Sequence, residues 1–195
     1  MARSRWLELK TNPHMSLFLA TLLPGLFLTL LGATLLWNNS LVGSTARALP
    51  RSKRGAWLFF GAGATWFIWR CAQLNESDLI FFKTPGPVMI AFGVLAVLAF
   101  LYTPDFLAVR GLCVLMLLVA EPLLFAAYME YEHPQRLLMV TAVYLGLGLA
   151  LYLAAAPYRL RDFMGWLFQR PARARLVGAV LLSYGLATAA AAFTY

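Results

Sequence analysis

Apolar residues fall in long blocks along this chain, broken by short clusters of charge, proline and asparagine. The blocks lie at about 15–37, 55–70, 87–102, 105–129, 137–156 and 176–194. Several match the roughly 20 residues that a helix needs to cross about 30 Å of hydrocarbon. The pattern predicts an all-α integral membrane protein: one transmembrane domain over 1–195, built as a bundle of about six membrane helices.

A seventh element differs from these. Over 157–170, Leu160, Phe163, Met164, Leu167 and Phe168 recur at i, i+3, i+4, i+7 and i+8, while Arg159, Arg161, Asp162, Gln169 and Arg170 fill the opposite side. One apolar stripe on an otherwise charged helix predicts an amphipathic helix lying in the interface. Pro171 ends it.

Local signals refine the blocks. Pro24-Gly25 interrupts the first one, which leaves either a kinked span or a re-entrant hairpin. The stretch 38–54 is expected to be a loop, and Leu79–Phe82 a short dip into the interface. Thr103-Pro104-Asp105 carries a cap residue, a first-turn proline and a first-turn acid, so the fourth span is expected to start there. Gly146-x-Gly148 in the fifth span, and Ala187 with Ala189–Ala192 in the sixth, are small enough to let helices approach closely.

Composition agrees with this picture. The chain is 62% hydrophobic and 12% charged, against about 25% charged in soluble domains. The first block is too long for the core of a cleaved signal and is expected to remain as an anchor. The net charge of +8 sits mainly in two clusters, Arg47, Arg51, Lys53 and Arg54, then Arg159, Arg161, Arg170, Arg173 and Arg175. That distribution points to anionic lipid headgroups rather than nucleic acid. With six spans, the positive-inside rule places these clusters and Arg110 in the cytoplasm and both termini outside, as in a bacterial cytoplasmic membrane protein. Arg3, Arg5 and Lys10 in the leader oppose that orientation, so the side of the N-terminus stays open. Cys71 and Cys113 fall at opposite faces in this topology, so no disulfide is expected.

Candidate chemistry is sparse. Glu121, followed by Pro122, is the one acidic residue deep within an apolar block. A charge at that depth costs about 2.5–3.5 kcal/mol on insertion scales. It therefore implies a partner group, a polar cavity or another helix. Pro122 removes a backbone donor and predicts a kink. Glu121 is either a structural carboxyl between helices or a site for a proton or cation. Thr65, Thr141, Tyr144, Ser183 and Tyr184 are the other polar side chains within spans. The aromatic-rich second block, with Trp57, Phe59, Phe60, Trp66, Phe67 and Trp69, suits a lipid-facing belt, or else a pigment or quinone. His14 and His133 flank prolines at span ends, unlike paired haem ligands, and no catalytic, metal or nucleotide motif occurs. No cofactor or metal is expected beyond bound lipid.

These features together point to a non-enzymatic membrane protein, an accessory or scaffolding subunit packed against partner membrane proteins. The alternative is a small transporter or channel that uses Glu121.

Overall fold

A computed structural model describes residues 15–37, 39–74, 79, 84–103 and 105–195. Among the described residues the protein is all-helical, with 84% of them in helix. The elements in chain order are α1 (Leu17–Trp37), α2 (Ser40–Ala48), a 3-10 turn (Leu49–Arg51), α3 (Lys53–Gly55), a π turn (Ala56–Phe60), α4 (Gly61–Ala72), α5 (Gly86–Tyr102), α6 (Leu107–Ala126), α7 (Arg136–Ala155), α8 (Tyr158–Gln169) and α9 (Pro171–Ala192). Four of them, α1, α6, α7 and α9, are long and apolar enough to cross a membrane, as a multi-pass membrane protein requires.

The expected count of about six crossings is not reached by these helices alone. The second block is one helical run over 53–72, but the π turn divides it and charged residues stand at both ends. The third block is α5, 17 residues of helix and shorter than the other four.

The chain forms two compact units. One holds α1, the second half of α6 from Val119, the first half of α7 to Gly146, and α9. The other holds 40–118 and 147–169.

In the first unit, α1 and α9 run antiparallel along a seam of small residues. Phe18 meets Phe193 edge-on at 5.4 Å, and the Thr21 and Tyr195 hydroxyls lie 3.1 Å apart. Toward the other end of the seam, Gly25 faces Ala189, Gly185 faces Thr29, and Gly32 faces Gly178 and Leu182. A Cβ on Gly32 would sit 2.7 Å from the Gly178 carbonyl oxygen and 2.8 Å from Leu182 Cα. Only glycine admits backbones this close, which is how helices associate where lipid is as apolar as their side chains. The small-residue end of the last helix packs as its sequence predicts. Gly148 of the Gly146-x-Gly148 pair does not: a Cβ there would meet nothing within 4 Å.

Two cores hold the second unit. Val109, Cys113, Ala150, Leu153 and Leu160 form one; Ala56, Leu107 and Ala108 form the other, with Phe59, Phe60 and Phe100 against it. Gly111 on α6 is pressed against the backbone of the π turn, where a Cβ would lie 2.6 Å from the Phe59 carbonyl carbon. Gly63 continues this contact, with Val114 Cγ1 3.2 Å from where its Cβ would be.

Several local expectations are corrected. The stretch 38–54 contains the helix α2 and a 3-10 turn. Arg47 Nε donates to the Gly43 carbonyl at 3.0 Å within α2, and Phe168 of α8 covers Gly43. The fourth span starts at Leu107 rather than at 105. Thr103 instead closes α5, its N–H and Oγ1 both donating to the Ala99 carbonyl at 3.0 Å. Phe106 then takes φ 57°, a left-handed conformation that a bulky side chain rarely adopts, and its carbonyl accepts the Val109 and Arg110 N–H groups that open α6. The same helix stops at Ala126 rather than at 129, and Met129 turns left-handed at φ 62°. Across Pro24, α1 is one continuous 21-residue helix, which removes the re-entrant hairpin. The expected dip at Leu79–Phe82 falls largely outside the described residues, as do His14, the basic leader and Pro104.

Candidate functional site

Glu121 and Pro122 lie on α6, which remains helical through the proline. The face that α6 buries here is set by Ala120 and Leu123, continued by Ala127 in the turn just past its end. Glu121 is turned away from it and is exposed, beside the exposed Phe125 one turn on. It lines neither of the two clefts found in the second unit. The polar side chains expected to share a path with it mostly bond to backbone. Thr65 donates to the Gly61 carbonyl at 2.8 Å and Ser183 to that of Val180 at 3.0 Å, each within its own helix. Tyr184 reaches across to the Leu138 carbonyl at 2.7 Å. The Tyr184 hydroxyl also bonds the Thr141 side chain, and Tyr144 is exposed. These hydroxyls satisfy local donors and acceptors instead of lining a conduit.

Basic residues of both clusters meet in one layer of the second unit. There α2 and the 3-10 turn pack on α8. Arg47, Arg51, Lys53 and Arg54 on one side, and Arg159 and Arg161 on the other, are all exposed. Arg51 lies over the Phe106 ring at 5.5 Å, Arg159 over Tyr158 at 5.6 Å, and Arg161 pairs with Asp162 at 2.8 Å. On α8, Leu160 and Leu167 are buried, while Phe163 and Trp166 stack at 5.9 Å on the open face. The helix thus presents aromatic rings outward next to arginines, the surface chemistry of an interfacial helix. Arg170, Arg173 and Arg175 belong to the first unit, at the start of α9.

In the first unit, His133 meets Tyr195 at 5.2 Å, Gln135 Nε2 donates to Thr194 Oγ1 at 3.1 Å, and Arg136 donates to the Ala127 carbonyl at 2.9 Å. Glu130 and Glu132 are exposed and do not close around His133. Among the described residues, no group of three His, Cys, Asp or Glu is placed to hold a metal.

A feature the sequence did not single out is a pair of clefts in the second unit. The first, about 400 Å³, lies between α4, α5 and α6, and every residue lining it is apolar, among them Phe60, Phe67, Phe92, Leu95 and Leu117. The second, about 450 Å³, lies toward the end of α4 and is lined by Arg70, Cys71, Gln73 and Val88. Phe67 and Phe92 line both, their rings edge-on at 4.9 Å. The π turn carries Phe60 to the first cleft, and such turns recur at functional sites. The aromatic richness of 55–70 was the available signal. It divides between these walls and an outer belt in which Trp57 and Trp69 are exposed.

No family model matches the chain, and neither curated proteins nor solved structures give a match.

Proposed function

We propose that this protein is a non-enzymatic accessory or scaffolding subunit of a membrane protein complex, seated in a bacterial cytoplasmic membrane. The 53–72 run and α5 add to the four long helices to give six crossings. In this orientation the basic layer of α2 and α8 lies against anionic headgroups on the cytoplasmic side.

The observation that carries this reading is that Glu121 lies on the outward face of α6 and lines neither of the two clefts. That face is where a neighbouring subunit would pack. Transport through this protein would need polar groups converging on Glu121, and Thr65, Ser183 and Tyr184 are engaged with backbone instead.

The test compares the tagged wild type with Glu121→Gln and Glu121→Leu, each extracted gently from its native membrane and run on a native gel. Wild type and the Gln variant should migrate in one assembly of defined mass, larger than the chain alone. The Leu variant should be depleted from it, because the group that Glu121 bonds is left unsatisfied at about 1–3 kcal/mol. Wild type running as an isolated chain would refute the scaffold. In liposomes holding a pH-sensitive dye, a wild-type flux lost in the Gln variant would establish the transporter instead.

A further inference from the structure

We propose that the first cleft, between α4, α5 and α6, takes a single hydrocarbon chain of a membrane lipid, and that this chain fastens α5 within the second unit. The site takes its depth in the bilayer from the six-crossing arrangement proposed above and is independent of Glu121.

None of the 17 residues of α5 is buried. Aromatic rings hold the helix at two levels. Toward its start, Phe92 meets Phe67 of α4 edge-on at 4.9 Å. Toward its end, Phe100 stacks on Trp57 at 4.7 Å and meets Phe60 edge-on at 5.1 Å, both of them in the π turn. Between Phe92 and Phe100 lies about 12 Å of helix. Over that interval Leu95 and Ala96 form one wall of the cleft of about 400 Å³, with Ala64 of α4 and Val114 and Leu117 of α6 on the other walls. The helix is thus pinned at both ends of a gap that no side chain of the unit fills.

The chemistry and size of the gap select its occupant. None of the ten lining residues carries a hydroxyl, amide or charge. A quinone carbonyl or a lipid headgroup placed there would be left without a hydrogen-bond partner in apolar surroundings. A partner helix is too large. It measures about 10–12 Å across with its side chains, or roughly 400–600 Å³ per turn, so the cleft holds no more than one turn. A flexible hydrocarbon chain satisfies both limits, and lipid supplies it at this depth. Leu95, Ala96 and Leu117 would then gain close contacts on the side that an empty cleft leaves bare. The headgroup lies outside the cleft and is not selected by it.

The test uses the purified full chain, stripped of lipid in detergent micelles and given a limiting amount of phosphatidylcholine that carries a diazirine in one acyl chain. This lipid has no net charge, so the basic layer of α2 and α8 does not draw it away. In wild type the photolabel should concentrate on the peptides that contain Leu95, Ala96 and Leu117, and hydrogen exchange along α5 should slow when the lipid is added. Ala96→Phe fills the cleft with a ring of its own. It should lower that labelling at least about fivefold, the least that overpacking implies, and should make α5 exchange equally slow with and without lipid. Ala64→Phe fills the cleft from the facing wall and should do the same. Leu145→Phe on the exposed face of α7 is the control and should behave as wild type. Label spread evenly over the exposed faces of α5 and α7 in wild type would overturn the proposal. So would α5 exchange in wild type that ignores added lipid, or undiminished labelling in both filled variants. The wild-type measurements decide alone where a filled variant does not fold. Occupancy is read here without Glu121 or a partner, so its failure leaves the scaffold standing, and a scaffold lost on the native gel leaves the cleft standing.

Discussion

Replacing Gly32 by alanine adds one methyl group at the tightest part of the α1–α9 seam. The new Cβ would stand 2.7 Å from the Gly178 oxygen and 2.8 Å from Leu182 Cα, and ordinary contact begins at 3.4 Å. Both obstacles are backbone, so no side chain can swing aside. The helices must separate locally by at least about 0.7 Å to reach that contact distance, which loosens neighbouring contacts such as Gly25 against Ala189 and Gly185 against Thr29. Overpacking of this kind costs about 1–3 kcal/mol. Against it stands the better helix propensity of alanine, about 0.8–1.0 kcal/mol in water; a helix already formed in lipid gains less of it. The net expectation is a loss of about 1–2 kcal/mol, a factor of roughly 5–30 in the folded-to-unfolded ratio. Gly148→Ala makes the same chemical change where nothing lies within 4 Å. It should be neutral, or stabilising by up to about 1 kcal/mol. Reversible unfolding of both variants in the same bicelles, titrated with dodecyl sulfate, gives the two signs directly. A Gly32→Ala protein as stable as wild type would refute the close seam, and equal destabilisation by Gly148→Ala would refute the sterics.

Two further outcomes follow from the second unit and the proposed topology. Leu167→Ala removes a side chain that is 1% exposed and should cost about 2–5 kcal/mol, whereas Phe163→Ala, at 44% exposure, should change detergent-solubilised stability by less than about 1 kcal/mol; faster protease cutting near Arg170 in the first variant alone checks this. Reporter fusions after Arg54 and after Arg170 should both indicate the cytoplasm, because the basic clusters resist translocation, and either one on the outside would break the six-crossing arrangement.

What the sequence displayed was the existence of long elements, and what it concealed was their phase. The fifth and sixth blocks and the amphipathic stretch appear as α7, α9 and α8 within a few residues of expectation. Length and apolarity suffice for that, since lipid requires each segment to satisfy its own backbone. A helix that is apolar all round gives no clue to which side it buries. Glu121 was visible as a deep carboxyl, but its outward direction follows from Ala120 and Leu123 being the packed face of α6, continued by Ala127 just past its end. The π turn is concealed for a related reason. Its backbone lies against Gly111, fifty residues further along the chain. The helix α2 differs from the expected loop because Ser, Val, Gly and Thr give Ser40–Ala48 weak intrinsic helix propensity, while its amphipathic face finds cover in Phe168, brought by α8. The clefts, assembled from three helices, have no single stretch to announce them.

The α1–α9 seam also has a consequence in time. Gly25 and Gly32 are made early, and Gly178 and Gly185 late. At about 5–20 residues per second, the ribosome needs roughly 7–30 s to extend the chain from Gly32 to Gly178. Throughout that interval α1 is without the helix that fits its glycines. The face it offers to lipid in the meantime has notches where side chains would normally pack. An insertase or a neighbouring helix that shelters this face during synthesis must leave it again when α9 arrives, so the order in which segments emerge governs the last step of assembly.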